Sequence, residues 1–383
     1  MQAVFRRHFS TVAKNQTLPL HQLKAASAVM GCRTEQFGGH LQYCPDGHFE
    51  RFWYHSCSHR SCPQCGQLAS ESWLQAQKEL LLRCDHCHVV FTIASELNAL
   101  WPSNTRAMAG LLFSASRDTL IKLLADEKHL GATPGMIGGL HTWGRAIPLH
   151  PHAHFLVTSG GIDAEGQWRP SKNGYLLPFR VVRKIFRAKY LSGLWKLLER
   201  GELVPPKGWT RGRVKNLLHK VAKGPKWNVY LCSRYSHGKG VVTYLAKYLR
   251  SGPISNHRLL ACDEKSVTFA YTSHKDGKAH TMSLPGPDFI RRVLSHVPES
   301  GFHVVRYYGL YAKNKRDTLN QIRVQLGQPP AKPRTRLNAA AFWAQQHVAN
   351  PLKCPVCDRA LVDRRIVVRG GVPPPCPRGS LAI

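Results

Sequence analysis

Five of the chain's twelve cysteines fall between Cys32 and Cys65, with His40, His48 and His59 among them. This stretch has little hydrophobic periodicity, so links between those side chains must carry much of its fold. In a long chain without a secretory signal, clustered cysteines read as zinc sites before disulfides. Zinc takes four nitrogen or sulfur ligands in a tetrahedron, and Cys57-x4-Cys62-x2-Cys65 with the upstream Cys44-x3-His48 supplies them at separations that a compact knuckle can close. Pro63 and Gly66 help to turn the chain, and Cys32, His40 and His59 stand in reserve for a second ion. Buried free thiols are the competing reading. Near the other end, Cys354-Pro355-Val356-Cys357 with Cys376 offers only three thiols, half a ribbon at most.

Charge points to the partner. The chain carries 54 Lys+Arg against 22 Asp+Glu, a net +32 that would repel itself without a polyanion. With 383 residues, 43% of them hydrophobic, it can bury the cores of two or three domains, which excludes disorder throughout. No apolar run approaches the roughly 20 residues that span a bilayer, so nucleic acid and not a membrane is the expected partner. Residues 1–34 hold no acid and faintly resemble an organelle presequence, but they lack the apolar region and cleavage site of a secretory signal; a cytoplasmic location is expected. The surplus is concentrated between Glu202 and Asp263, where 60 residues contain no acid and twelve Lys or Arg, among them Arg211, Arg213, Lys215, Lys239, Lys247 and Arg250. Trp209, Trp227, Tyr230 and Tyr235 lie among these charges, which suits a groove that neutralises phosphates and stacks unpaired bases. A merely solvated basic loop is the alternative.

No repeat at solenoid or propeller periods is present, so consecutive unlike segments are expected. The spacing predicts a helix over 68–82, a buried strand over 88–95, a long amphipathic helix over 105–130, and strands over 136–143 and 152–159, the second closed by Gly160-Gly161. A basic amphipathic helix follows over 180–199, then a short helix over 241–250 stopped by Gly252-Pro253, strands over 267–272 and 279–284, and a helix over 287–297. From Gln328 the composition shifts to Pro, Lys and Arg, marking a linker into a small Cys-bearing segment.

Two further constellations bear chemistry. In His150-Pro151-His152-Ala153-His154, strand alternation puts His152 and His154 on one face about 7 Å apart, where two imidazoles can bind one divalent ion. His150 shares the parity, but Pro151 suits a strand's first position and assigns His150 to the entry loop. In Tyr244-Leu245-Ala246-Lys247-Tyr248 the two phenols share a helix face about 6 Å apart, and a phenol is a competent nucleophile toward a phosphodiester when a metal polarises the phosphate and cations such as Lys247 and Arg250 favour the phenolate. Structural histidines and packing tyrosines are the bland readings of each motif alone.

The chain resembles a known family, the HUH-type rolling-circle transposases with two tyrosines of the bacterial insertion sequence family ninety-one, distant kin of the eukaryotic Helitrons. CRTEQFGGHLQYC and SCSHRSCPQC in the zinc region, HVVFTI, LHTWGRAIPLHPHAHFLVTSGG, YLAKYLRSGPISNHRL and FIRRVLSHVPESGFHVVRYYGLYA carry the resemblance over most of the chain. It implies that His152-Ala153-His154 is the metal-binding element and that Tyr244 and Tyr248 are the nucleophiles. The implied reaction is attack on single-stranded DNA to leave a 5′-phosphotyrosine link, with Mg2+ or Mn2+ as catalytic ion, Zn2+ as structural ion, and single-stranded DNA and element-end hairpins as partners. The chain departs from the family at Cys44-Pro45-Asp46-Gly47-His48, where one thiol of a Cys-x-x-Cys-Gly-His turn is missing and His48 or Cys32 stands in. Cys84 and Cys87 lie where the family calls for no ligands. The third ligand of the catalytic ion is open among His88, His141 and Asn256.

The expected fold is α+β, an HUH nuclease domain with a central antiparallel sheet and packed helices, flanked by small zinc modules. The expected parts are a zinc-binding DNA-recognition domain over 1–82, the endonuclease domain over 83–327 and a linker with a Cys-containing segment over 328–383. Two other classes compete: a zinc-containing regulator or replication factor that only binds DNA, and a histidine-triad-like nucleotide hydrolase suggested by His150-x-His152-x-His154.

Overall fold

The computed structural model describes residues 1–171, 177–224, 227–231, 240, 252–273, 276–331 and 350–367. The fold is α+β, and it divides into two compact units: Met1–Trp73 with Arg250–Val297 and Thr335–Ile383, and Leu74–Leu249 with Pro298–Arg334. Among the described residues no helix is long and apolar enough to cross a membrane.

The first unit opens with two helices that sequence periodicity did not announce, α1 (Gln2–Asn15) and α2 (Leu20–Gly31). Val4, Phe5 and Val12 are buried, and α1 packs on α2 and on the helix Gly286–Leu294. A Cβ at Gly286 would lie 2.2 Å from His8 Nδ1, so only glycine lets these two helices approach this closely. Strands β1 (Gly39–Tyr43) and β2 (Glu50–Tyr54) form a hairpin, and the helix α3 (Gly66–Leu80) follows them in the chain.

The second unit is built on one sheet. Its strands are β3 (His86–Thr92), β4 (Thr133–Trp143), β5 (Leu149–Ile162), β6 (Trp168–Pro170), β7 (Asn228–Leu231) and β11 (Val305–Gly309), in the order β11-β4-β5-β3-β7 with β6 beside β5, every pair antiparallel. Alternation divides the strands' residues between two faces. Val89, Phe91, Leu140, Ala153, Phe155 and Val157 enter the core beneath α4 (Thr105–Leu124) and α5 (Phe179–Glu199), where Phe113, Phe186, Tyr190 and Leu194 meet them. The other face carries His86, His88, His141, His152 and His154. A helix α6 (Arg211–Lys223) packs on α5 through Val214, Leu218 and Val221.

The first unit also holds a second sheet of β8 (Leu259–Cys262), β9 (Ser266–Thr272) and β10 (Ala279–Pro285), and a last strand, β12 (Val362–Val367), which pairs antiparallel with β1.

Three details differ from the sequence reading. The strand expected to stop at Gly160-Gly161 runs through both glycines to Ile162, because without side chains they admit close neighbours: a Cβ at Gly160 would lie 2.3 Å from the Trp168 ring and one at Gly161 2.6 Å from Thr133 O. β5 also begins at Leu149, so His150 belongs to the strand and not to an entry loop; Pro151, which cannot donate to the ladder, falls where the register with β4 shifts between His141 and Trp143. α4 stops at Leu124 and not at 130, ahead of a turn in which the Lys128 N–H donates to Asp126 Oδ1 at 2.9 Å.

A chain of hydrogen bonds orders the edge of the histidine face. The Leu82 N–H donates to Tyr311 Oη at 3.1 Å, the Tyr311 hydroxyl donates to His86 Nε2 at 2.8 Å, and His86 Nδ1–H donates to Cys84 O at 2.9 Å. Of the two neutral tautomers, only the Nδ1–H form satisfies all three contacts. Burial holds the His86 pKa down to about 4 from 6.5. Unfolded chains therefore bind a proton at His86 that the folded protein refuses between pH 6.5 and 4, so stability is lost as pH falls through that window, by on the order of 3 kcal/mol at most. His86→Phe is expected to lower stability at pH 7 yet flatten its decline between pH 6.5 and 4 by about one proton. Urea unfolding at a series of pH values measures this, and an unchanged slope would refute the assignment.

Candidate functional site

The register of β4 on β5 sets His141 directly opposite His152, and His154 follows two residues along β5 on the same face. One ligand atom from each of the three imidazoles lies within 4.8 Å of the other two. His141 and His154 are 3% and 4% exposed, and burial, reinforced by the neighbouring histidines, holds both pKa values well below the ordinary range. These rings are neutral at physiological pH, the form that donates a lone pair to a metal. His152 is half-buried, with Nδ1 donating to His150 O at 2.6 Å, which places its lone pair on Nε2.

His88 on β3 stands against His154. Its Nε2 lies 2.8 Å from His154 Nδ1, the rings are stacked at 13°, and burial lowers its pKa to about 4. A neutral imidazole has one N–H, so His154 can present a lone pair at Nε2 only if its proton sits on Nδ1 and is donated to His88 Nε2. With His88 Nε2 as the acceptor, His88 would hold His154 in the tautomer that can ligate a metal. Of the three open candidates for a third ligand, the structure brings His141 to His152 and His154; Asn256 lies in the first unit.

Among the described residues, seven cysteines fall into two groups. Cys57, Cys62 and Cys65 are gathered with Cys32, not with Cys44 and His48. The hairpin explains the separation: Cys44 and His48 occupy its turn, whereas Cys32 and Cys57 flank its open end, about 17 Å away along a five-residue strand. Cys32 and Cys65 sulfurs are 3.3 Å apart and those of Cys57 and Cys65 3.6 Å, near the edge of about 3.8 Å that a tetrahedron with 2.3 Å zinc–sulfur bonds requires. Hydrogen bonds from Cys57 and Cys62 hold the Cys65 thiol far below its ordinary pKa, while the same crowding pushes Cys62 up. Cys44 and His48 instead meet Cys354 and Cys357. Cys87 is buried, its sulfur 3.3 Å from Ser159 Oγ, and neither it nor Cys84 belongs to a metal-ligating group among the described residues.

The basic stretch is less uniform than its composition. Arg213 stays exposed and stacks on Trp209 at 4.2 Å, and Lys215 is exposed on α6. Arg211 donates to Leu198 O at 3.0 Å and to Glu199 O, capping α5. Trp227, expected to face bases, is 3% exposed, packs on Phe186 and Tyr190, and donates to Val221 O at 3.2 Å; Tyr230 remains 60% exposed. A groove lined by Arg180, Arg183, Lys184 and Arg187 of α5 with Gly224 and Trp227 adds cations whose sequence signal was the basic face of that helix. Tyr244, Tyr248, Lys239, Lys247 and Arg250 lie outside the described residues.

A family model described as "Putative transposase" matches residues 135–318, which include all three histidines, and one described as "Transposase zinc-binding domain" matches residues 4–93. "Putative transposase y4qJ" of Sinorhizobium fredii is 33% identical over 337 residues, 86% of this chain and 85% of that protein. The chain belongs to the IS91 family of transposases. "Transposase for insertion sequence element IS801" of Pseudomonas savastanoi pv. phaseolicola is 29% identical over 89% of this chain and 81% of its own length. No solved structure matches. For this transposase, His88→Leu is expected to weaken divalent-metal binding by about 10–100-fold through loss of the Nδ1–H acceptor, and His88→Gln, which keeps an acceptor, to recover much of it. Calorimetric titration with Mn2+ tests this; equal affinity in both variants and the parent would remove His88 from the site.

Proposed function

We propose that this transposase is a metal-dependent single-strand DNA endonuclease and strand transferase that acts through 5′-phosphotyrosine links in rolling-circle transposition. The observation that carries the reading is the convergence of His141, His152 and His154 on one locus in a chain of this family. Their neutral nitrogens fit a divalent ion, and three imidazoles suit Mn2+ better than Mg2+, which favours an octahedron of oxygens. A bound ion would supply Lewis-acid polarisation of the scissile phosphate. Zn2+ on Cys32, Cys57, Cys62 and Cys65 would serve structure alone, consistent with the zinc-binding-domain match.

Tyr244 and Tyr248 are the proposed nucleophiles. A phenol oxygen bonds to phosphorus as the bond to the 3′-oxygen breaks; the phenol proton is given up and the departing oxygen takes a proton to become a 3′-hydroxyl. Attack by that hydroxyl on the phosphotyrosine reverses the step and reseals the strand. A second tyrosine permits a second cleavage while the first link persists. Arg213, Lys215 and the α5 cations would neutralise backbone phosphates, with Lys239, Lys247 and Arg250 proposed to extend the same surface, and Trp209 and Tyr230 offer faces for unpaired bases.

With a labelled single strand carrying the element's end and Mn2+ or Mg2+, a denaturing gel should show a protein-linked band that Tyr244→Phe/Tyr248→Phe abolishes. His152→Ala should also abolish the band while sparing DNA binding. Persistence of the adduct in the double variant would overturn the nucleophile assignment, and absence of any adduct from the parent protein would favour a regulator that only binds DNA.

Binding to the same oligonucleotide should weaken steeply with salt, each neutralised phosphate contributing a slope of roughly −0.7 in log K against log salt. A flat dependence, read by fluorescence anisotropy, would rule out a phosphate-tracking surface.

A further inference from the structure

Besides the Cys32 cluster, a second four-donor group is assembled from the two ends of the sequence. Sulfurs of Cys44, Cys354 and Cys357 and a ring nitrogen of His48 lie within 4.8 Å of one another, with Cys44 Sγ 3.5 Å from Cys357 Sγ and 3.8 Å from His48 Nδ1. Those spacings match the edges of a zinc tetrahedron with three thiolates and one imidazole, about 3.8 Å between sulfurs. Both contributing turns are shaped in advance. In Cys44-Pro45-Asp46-Gly47-His48 the Gly47 N–H donates to Cys44 O at 2.9 Å, with Gly47 at φ +77°, and the Cys44 N–H donates to Phe49 O at 2.7 Å. In Cys354-Pro355-Val356-Cys357 the Val356 N–H points at Cys354 Sγ at 3.5 Å and the Cys354 N–H donates to Arg359 O at 2.8 Å. Each turn thus offers the pair of donors typical of a zinc knuckle, and neither alone completes a tetrahedron.

The surrounding contacts bring the two halves into register. β12 pairs with β1 from Gly39↔Val367 to Tyr43↔Val362, Arg359 bridges to Asp46 at 2.8 Å, and Gln42 Nε2 donates to Asp363 Oδ1 at 3.1 Å. Apolar burial is thin: all five residues of β2 are only half-buried, while Cys44 and Cys354 are 0% and 2% exposed. Sulfurs so enclosed in a segment so poor in core need another source of cohesion, and metal ligation provides it.

We propose that Cys44, His48, Cys354 and Cys357 hold a second structural zinc ion, separate from that on the Cys32 cluster, which clasps the C-terminal segment onto the N-terminal hairpin. The segment 350–367 then stays on β1 only while zinc is bound. This reading is independent of the proposed DNA chemistry.

Full-length protein purified without chelator should contain two zinc ions per chain by plasma mass spectrometry, and Cys354→Ser/Cys357→Ser one. Cobalt substitution provides the second measurement. The parent should show absorption both of a centre with four thiolates and of one with three thiolates and an imidazole, and His48→Cys should keep two ions while converting the mixed centre's signal to that of four thiolates. Trypsin cleavage at Lys353 and Arg359 should accelerate about tenfold when zinc is stripped. One zinc ion in the parent, two in the double serine variant, or no change in the cobalt spectrum of His48→Cys would each overturn the clasp. If the double serine variant does not fold, the His48→Cys spectrum decides.

Discussion

The antiparallel ladder between β4 and β5 is the constraint on which the rest of the second unit depends. A strand's two-residue period leaves no choice about faces once the register is set. With His141 opposite His152, and Val90 and Gly139 flanking His154, Leu140, Ala153, Phe155 and Val157 are committed to the core beneath α4 and α5. A slip of one residue would bury imidazoles among phenylalanines and turn Phe155 onto the histidine face, so the packing of Phe91, Phe113, Phe155 and Phe186 enforces the register that assembles the histidines. Site geometry is thereby tied to core packing, whose energy is far larger than that of any one histidine contact.

On the other face, the two buried histidines of β3 are hydrogen-bonded. His88 Nε2 and His154 Nδ1 share one hydrogen bond, and His86, between Tyr311 and Cys84 O, is held with its proton on Nδ1. A buried cation is handled likewise: the Arg323 guanidinium, 4% exposed, donates to Leu81 O at 3.0 Å, to Pro329 O at 3.0 Å and to Glu79 O, so the end of α3 is held by carbonyls and not by a counter-charge. Desolvation keeps the imidazoles neutral, the form in which an imidazole can ligate a metal.

Among the described residues the first unit has no equivalent aromatic core around its hairpin, and it relies on geometry at the hairpin's two ends. One end gathers Cys32, Cys57, Cys62 and Cys65, the other Cys44, His48, Cys354 and Cys357. Linear spacing favoured Cys44 and His48 as partners of the nearby Cys57-Cys62-Cys65 triplet, but an extended strand carries the chain away by more than three Å per residue, so closeness in sequence does not mean closeness in space.

Periodicity and residue type were enough to place the strands that carry the histidines, the helices α4 and α5, and the shared face of His152 and His154, because those depend on local alternation and on apolar spacing. The basic face of α5 was likewise legible, whereas the fates of Arg211, a helix cap, and Trp227, a core residue, depend on neighbours distant in sequence. α1 and α2 escaped notice because their buried faces are completed by a helix some 250 residues on. Only the tertiary structure brought His141 to His152 and His154, set His88 against His154, and joined Cys354 and Cys357 to Cys44 and His48. Each of those choices is made by strand register or by pairing between remote segments, and no local pattern in a chain encodes which strand will lie beside which.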